Sequence, residues 1–291
     1  MPRLSYASPG TAEEAVALLS SASGLAKVLS GGTDLLVQLR SGRVTPDLIV
    51  DTKRITGIMG IRRENEGWVI GAATPGAEIE AHPELKHDWP GVVEAMDLIG
   101  STQIQGRATL AGNLCNASPA ADSVPAMIAA GAIAVVVGPK GRREVPVEEI
   151  PTAPGRTLLG RDEFVIEIKL PPRPPRTGDA YLRLIPRTEM DIAVVGCGVC
   201  VTLDDAGICK AAKVALGAVA PVPLVVKEAA NTLIGYRLDE GTLARLDEAA
   251  RAACKPIDDK RGTVDYRIKV AGVLARRAAA TAFQRAEGTH H

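Results

Sequence analysis

Residues 103–122 combine small residues with short polar side chains, a mixture suited to holding a ligand through backbone groups. The small residues, which let backbone N–H groups approach a ligand closely, are Ala108, Ala111, Gly112 and Ala117. The short polar side chains are those of Thr109, Asn113, Asn116 and Ser118, and Asp122 adds one carboxylate. The segment is too apolar for a solvent loop and too rich in Gly, Asn, Ser and Pro for a helix. We therefore predict an irregular segment that wraps a polyanion with amides and hydroxyls rather than with basic side chains.

Upstream, a pair of glycines joins a short apolar strand to the apolar start of a helix. The strand is predicted over 27–29, the turn contains Gly31 and Gly32, and the helix covers 34–40. Taken alone, the two glycines indicate only a turn between a strand and a helix. Two such loops in one chain suit the two phosphates of a dinucleotide, because backbone amides at a helix start offset phosphate charge without lysine. The sequence has neither Gly-x-Gly-x-x-Gly nor Gly-Lys-Ser/Thr, which argues against a Rossmann NAD domain and a P-loop NTPase.

The composition argues against nucleic-acid and membrane partners. Lys+Arg and Asp+Glu are both 34, and aromatic residues make up only 3% of the 291 residues. No apolar run has the length of a membrane span, and the N-terminus lacks the apolar core of a signal peptide, so we expect a cytoplasmic protein. His290 and His291 resemble the remnant of a purification tag.

The cysteines and histidines give no support for a metal site or a nucleophilic triad. Cys197 and Cys200 have metal or redox spacing, but they fall within an apolar, strand-like run with no second pair nearby. Strand residues three apart point to opposite faces, so buried thiols are the better interpretation. His82 and His87 lie in a polar segment far from any nucleophile motif, which favours solvated loop histidines.

The elements that would position these residues fall into three groups. Residues 1–51 read as αβαβ with parallel strands, and Thr11 and Glu14 form a predicted capping box before the first helix. Residues 52–175 mix strands over 68–72, 132–137, 144–147 and 164–170 with helices over 75–79, 91–100 and 123–130. After the Pro-rich connection 171–176, strands over 179–184, 193–203 and 211–218 predict an antiparallel sheet, followed by helices over 223–233, 241–253 and 266–285. We therefore predict one domain over 1–175, in two lobes, and a second over 176–291.

Several motifs, in order along nearly the whole chain, resemble one family. They are Ser30-Gly31-Gly32-Thr33-Asp34, Ala108-Thr109-Leu110-Ala111-Gly112-Asn113, Ser118-Pro119-Ala120-Ala121-Asp122, Arg187-Thr188-Glu189-Met190-Asp191-Ile192-Ala193, the run 215–223 and the run 259–267. Together they resemble the FAD-binding medium subunit of molybdenum hydroxylases, a group that includes carbon monoxide dehydrogenase, xanthine dehydrogenase and 4-hydroxybenzoyl-CoA reductase. The resemblance implies an α+β fold. Two small α/β lobes would form a PCMH-type (vanillyl-alcohol-oxidase-like) FAD-binding domain, followed by a domain of antiparallel sheet and helices.

The resemblance also implies which residues bind FAD. These are Val28, Leu29, Ser30, Gly31, Gly32, Thr33, Asp34, Leu35, Ile99, Thr109, Ala111, Gly112, Asn113, Asp122, Val165, Arg183 and Ile192. Ile99 falls where some relatives place an aromatic residue, so aliphatic side chains would flank the flavin here. Asp122 would bind the polar half of the cofactor, or alternatively cap the helix over 123–130. Arg183 falls where relatives carry a lysine that favours reduced flavin, and the alternative is an exposed charge at a strand edge.

As a member of such a complex, the chain would be an oxidoreductase subunit that transfers electrons and has no catalytic or metal-binding residues of its own. Its partners would be a large molybdopterin-binding subunit and a small two-iron–two-sulfur subunit, and the external acceptor would be NAD, a quinone or dioxygen. The chain lacks the cysteine-rich insert of 4-hydroxybenzoyl-CoA reductase between Cys115 and Ala120. Two alternatives stay open: a stand-alone flavin-dependent oxidoreductase with its own substrate site, and a scaffold without a cofactor.

Overall fold

The computed structural model describes residues 4–288, so His290 and His291 lie outside the described residues. The first lobe is a small parallel sheet with strands β1 (Ser5–Ala7), β2 (Ala26–Leu29) and β3 (Leu48–Asp51), in the order β1-β3-β2. Helix α1 (Ala12–Ser21) follows β1, and α2 (Leu35–Arg40) follows β2. Thr11 caps α1 by accepting the N–H of Glu14, as predicted. The αβαβ prediction with parallel strands is confirmed.

The second lobe is built on a five-stranded sheet in which every neighbouring pair is antiparallel. The strands are β4 (Ile61–Glu64), β5 (Gly67–Gly71), β6 (Ile133–Gly138), β7 (Gly141–Pro146) and β10 (Phe164–Leu170), in the order β4-β5-β10-β6-β7. A small hairpin, β8 (Pro151–Ala153) and β9 (Arg156–Thr157), precedes β10. The helices are α3 (Gly76–Glu80), α4 (Pro83–Asp88), α5 (Pro90–Asp97), α6 (Thr102–Gln105), α7 (Leu110–Cys115) and α8 (Ser123–Ala130).

The prediction that residues 103–122 are irregular is wrong, because α7 and most of α6 lie within this segment. Thr109 stabilises α7 as its N-cap, since the side-chain oxygen accepts the N–H of Gly112 at 2.9 Å. Leu110 and Leu114 on α7 are fully buried. The cap and the buried leucines outweigh the poor helix propensity of the segment's glycine and asparagine.

The C-terminal part is a four-stranded antiparallel sheet covered by helices, as predicted. Its strands are β11 (Thr177–Leu184), β12 (Val195–Leu203), β13 (Cys209–Gly217) and β14 (Leu224–Val225). Helices α9 (Lys227–Leu233), α10 (Glu240–Ala253) and α11 (Val264–Glu287) follow. Cys197 and Cys200 are free thiols within β12.

Helix α8 joins the two halves of the molecule. All of its residues are buried, and it packs against β12 and β13 of the C-terminal sheet as well as against α5 and α7. Gly198 on β12 permits this approach, because a Cβ there would lie 2.4 Å from the carbonyl oxygen of Pro125. The C-terminal sheet is therefore held directly against the second lobe. The domain boundaries at residues 51 and 175 stay predictions.

Candidate functional site

A cavity of about 340 Å³ lies where the first and second lobes meet, with both predicted loops in its wall. Most of the residues predicted to bind the cofactor line this cavity. They are Val28, Ser30, Gly31, Gly32, Thr33, Asp34, Leu35, Ile99, Thr109, Ala111, Gly112, Asn113 and Val165. The fold thus brings together groups that are far apart in the sequence, and the cavity size falls within the range of small-molecule sites.

The glycines of the first loop are required by its geometry. A Cβ at Gly31 would lie 1.8 Å from the carbonyl oxygen of Arg107, which belongs to the second loop, the segment 103–122. Gly32 has a φ of +79°, in the left-handed region that glycine adopts at little cost. The two loops meet here, since the hydroxyl oxygens of Ser30 and Thr109 are 3.4 Å apart.

The first loop presents backbone donors without protein acceptors. Within the described part of the chain, the N–H groups of residues 31–34 make no hydrogen bond, and Asp34 at the N-cap of α2 makes no side-chain capping bond. Burial raises the pKa of the Asp34 carboxyl. The carbonyl of Ser30 is fixed from the other side by Lys53, whose ammonium donates to it at 3.1 Å and pairs with Asp51 at 2.8 Å. Unpaired N–H groups in a cavity wall form a ready site for an anion.

The second loop is held by its own polar side chains. Thr109 caps α7, as described above. The Asn113 side-chain oxygen accepts both the N–H and the hydroxyl of Ser123, at 3.2 and 2.7 Å. Thr109 and Asn113 thus have structural roles in addition to lining the cavity.

Four of the predicted site residues, namely Leu29, Asp122, Arg183 and Ile192, are not part of the cavity wall. Leu29 ends β2 and packs beneath the glycine turn, where its side chain would lie 2.9 Å from a Cβ at Gly32. Ile192 is 52% exposed.

Asp122 and Arg183 instead bind each other. The carboxylate accepts the Arg183 guanidinium at 2.7 Å and the Tyr181 hydroxyl at 2.9 Å. The helix-capping interpretation of Asp122 is wrong, because the residue has helical backbone angles and makes no capping bond. The exposed-charge interpretation of Arg183 is also wrong, since only 5% of its side chain is exposed. Burial raises the pKa of Asp122, and the charge of Arg183 and the Tyr181 hydrogen bond offset part of that effect.

A loop of the C-terminal domain reaches the rim of the cavity. The N–H of Met190 donates to the carbonyl of Gly100 at 3.3 Å, next to the cavity-lining Ile99. Asp191 anchors the loop through Arg187 at 3.2 Å and Arg261 at 3.0 Å. The Ile192 N–H and the Arg261 guanidinium lower the pKa of the Asp191 carboxyl, which therefore stays charged. Of the residues of this loop, Met190 rather than the predicted Ile192 makes the contact beside the cavity wall.

Sequence reasoning did not assign several residues of the cavity wall to the site. They are Lys27, Gln38, Val44, Thr52, Ala72, Cys115, Gly155, Leu159, Glu163 and Phe164, whereas Ala108 and Asn116, which the sequence placed in the ligand-holding segment 103–122, also line the wall. Burial raises the pKa of the Cys115 thiol to about 12, so it is not a reactive thiolate. Gln38 had a usable signal, because it follows the glycine turn by about one turn of α2. The hairpin residues had none, since their place in the wall depends on tertiary packing.

Within residues 4–288, no group of three or more His, Cys, Asp and Glu side chains could hold a metal ion. No helix in the same range is long and apolar enough to cross a membrane.

Two family models match the chain one after the other. Residues 2–173 match the FAD binding domain in molybdopterin dehydrogenase, and residues 180–282 match the CO dehydrogenase flavoprotein C-terminal domain. The chain therefore belongs to the family of FAD-binding medium subunits of molybdenum hydroxylases and is an oxidoreductase subunit.

Relatives match along nearly the whole chain. The carbon monoxide dehydrogenase medium chain of Hydrogenophaga pseudoflava is 34% identical over 98% of both chains. The putative xanthine dehydrogenase FAD-binding subunit of Escherichia coli strain K12 is 29% identical over 98% of this chain and 97% of its own. A solved structure of the Hydrogenophaga pseudoflava carbon monoxide dehydrogenase superposes with a TM-score of 0.93 over 98% of both chains, at 34% identity. The predicted α+β fold is thereby confirmed.

Proposed function

We propose that this chain holds FAD in the cavity between its first two lobes and transfers electrons within a molybdenum-containing dehydrogenase. The observation that carries the proposal is the meeting of two glycine-containing loops in one cavity. The N–H groups of residues 31–34 find no acceptor within the described part of the chain. Such donors suit the pyrophosphate of a dinucleotide, and the approach of Gly31 to Arg107 leaves no room for a side chain there.

The residues divide the cofactor's parts between them. The loop 30–35 and the start of α7 would hold the pyrophosphate through N–H groups and the hydroxyls of Ser30 and Thr109. Ile99 and Val165 line the cavity and would contact the flavin end, as the family resemblance implies. Ile99 lies next to Gly100, whose carbonyl accepts the N–H of Met190 from the C-terminal loop. Asp122 and Arg183 would act on the flavin through their charges, from outside the cavity wall. Bound FAD supplies a redox centre able to exchange electrons one or two at a time.

The names of the relatives support the proposed partners, and the proposed acceptor rests on the family resemblance. Carbon monoxide and xanthine dehydrogenases are represented among them by a medium chain and by an FAD-binding subunit. We therefore propose a large molybdopterin-binding subunit and a small two-iron–two-sulfur subunit as partners. Electrons would pass from the iron–sulfur clusters through FAD to NAD, a quinone or dioxygen. A reducing cytoplasm agrees with five free cysteines.

The test is to purify the chain from its native source under mild conditions. The expected material has a flavin absorbance spectrum, releases FAD on denaturation, and contains molybdenum and iron in co-eluting subunits. Flavin without either metal would favour the stand-alone flavoenzyme. Purified material that neither contains nor takes up flavin would contradict the proposal.

A further inference from the structure

A hydrogen bond between two side-chain amides is among the bonds that join the two lobes at the cavity wall. The side-chain amide of Gln38, on α2, donates to the side-chain oxygen of Asn116, the C-cap residue of α7, at 3.1 Å. Both residues line the cavity and are partly exposed to it. We call this pair the amide clasp. It joins residues 78 positions apart, from different lobes.

The clasp leaves one amide oxygen and one amide nitrogen without a hydrogen-bond partner in the described part of the chain. Within the described part of the chain, the Gln38 side-chain oxygen and the Asn116 side-chain nitrogen make no hydrogen bond. A side-chain amide has both an oxygen acceptor and an NH₂ donor, so half of the capacity of each residue is unused. Such groups are costly to leave unmatched when a bound ligand excludes water from them.

The position of the clasp fits the adenosine half of the cofactor. Gln38 is four residues beyond Asp34, or roughly 6 Å along the helix axis from the glycine loop. The other end of the cavity is marked by Ile99 and the C-terminal loop. The apolar side chains of Val44 and Leu159 belong to the same cavity wall as the clasp and offer aliphatic surface to a planar ring.

We propose that the amide clasp recognises the adenine ring of the dinucleotide. The Gln38 oxygen accepts a hydrogen bond from the exocyclic amino group, and the Asn116 amide donates to N1, the ring nitrogen on the same edge of the base. Side-chain amides of Asn and Gln read adenine in nucleic acids with the same pairing of donor and acceptor, there at the amino group and N7. The clasp therefore selects adenine dinucleotides over analogues with another base, using one residue from each lobe. This inference rests on the proposed function of the cavity.

The test compares FAD with its deaminated analogue, in which hypoxanthine replaces adenine. Deamination converts the amino donor into a carbonyl acceptor and the adjacent ring acceptor into a donor, so both proposed hydrogen bonds are lost. The full chain, purified with any subunits that co-elute, is stripped of flavin. Dissociation constants for both flavins are then measured by fluorescence quenching. We expect the natural chain to prefer FAD by on the order of tenfold or more.

Variants test whether the preference for FAD over its deaminated analogue depends on the amide clasp. Gln38→Ala and Asn116→Ala should reduce the preference to near unity, and Asn116→Asp should reduce it through loss of the donor alone. Gln103→Ala and Asn231→Ala are the matched controls, because both side chains are exposed and outside the cavity wall. Circular dichroism checks folding, and Asn116→Asp keeps the acceptor for Gln38 if the alanine variants unfold.

The outcomes separate the inference from the proposed function. A preference that is unchanged in folded clasp variants, or absent in the natural chain, overturns the inference while FAD binding itself stands. A natural chain that binds neither flavin overturns the proposed function and the inference together.

Discussion

Replacing Arg183 by methionine tests whether the Asp122–Arg183 pair is the buried structural ion pair that the geometry indicates. Methionine keeps an unbranched stem but removes the charge, so it leaves Asp122 with only the Tyr181 hydroxyl as a partner. Removing one partner of a buried pair costs about 3–5 kcal/mol, because the remaining charge stays desolvated. Arg183→Met should therefore lower the free energy of unfolding, measured by urea denaturation at pH 8, by about that amount.

The loss should depend on pH in a defined direction. Burial already raises the pKa of Asp122 in the folded chain, and removal of Arg183 raises it further. An acid whose folded-state pKa lies above its unfolded-state value contributes stability that is present at low pH and lost as the pH rises through the folded pKa. The deficit of Arg183→Met should thus be smaller at pH 5 than at pH 8. Adding Asp122→Asn should recover most of it.

Arg187→Met is the control for this experiment. The Arg187 side chain is 68% exposed and pairs with Asp191, so its loss should cost less than about 1 kcal/mol. The reasoning about the buried pair is refuted if Arg183→Met costs no more than this control. It is equally refuted if the double variant is no more stable than Arg183→Met alone.

Three further predictions concern the loop, the thiols and the seam between the domains. Gly32→Val should abolish FAD retention in a folded chain, since valine at a φ of +79° distorts the loop. The control Gly10→Val should retain FAD, and the measurement is the flavin content per folded chain. Burial raises the pKa of the Cys115 thiol to about 12. At pH 8, Cys115 should therefore react with iodoacetamide on the order of a thousandfold more slowly in the native than in the unfolded chain. Fast labelling of the native chain would contradict this burial. Arg285→Met should increase hydrogen exchange at the C-terminal end of α11, because Arg285 binds the Glu94 carboxylate and the carbonyl of Asp179. Exchange equal to that of the natural chain would exclude a role for Arg285 in holding α11 against α5.

The strands and longer helices could be predicted from the sequence because their signals are local. The run 132–137 is entirely apolar and forms the buried strand β6, and the amphipathic segment 241–253 lies within α10. Strand β4 was missed because it is short, edge-placed and charged, with Arg62 and Arg63 exposed. Helix α7 was missed because its stability comes from a cap and from leucines buried in the core of the second lobe, and composition shows neither.

The candidate site was predictable where it consists of loops and unpredictable where it depends on pairing across the fold. Gly31 and Gly32 predict a turn by residue type alone, and the apolar strand before them predicts that this turn lies at the end of a sheet strand, where it lines the cavity. The clasp between Gln38 and Asn116 required the two lobes to be placed against each other. Periodicity and spacing carry no information on such a contact.

The pairing of Arg183 with Asp122 also changes what Arg183 can do for a bound flavin. A lone cation near the flavin would favour the reduced state, but here a carboxylate 2.7 Å away offsets most of its charge. Each partner should therefore matter mainly when the other is removed. Arg183→Met leaves a net negative charge and should make the two-electron midpoint potential more negative. Asp122→Asn leaves a net positive charge and should make the potential more positive. If each unpaired charge contributes on the order of 1 kcal/mol, each shift is roughly 20 mV. The variant with both changes should return close to the natural value. Spectroelectrochemistry of the FAD-loaded chain resolves shifts of this size. Potentials unchanged in both single variants, with FAD still bound, would mean that the pair lies beyond electrostatic reach of the flavin and serves stability alone.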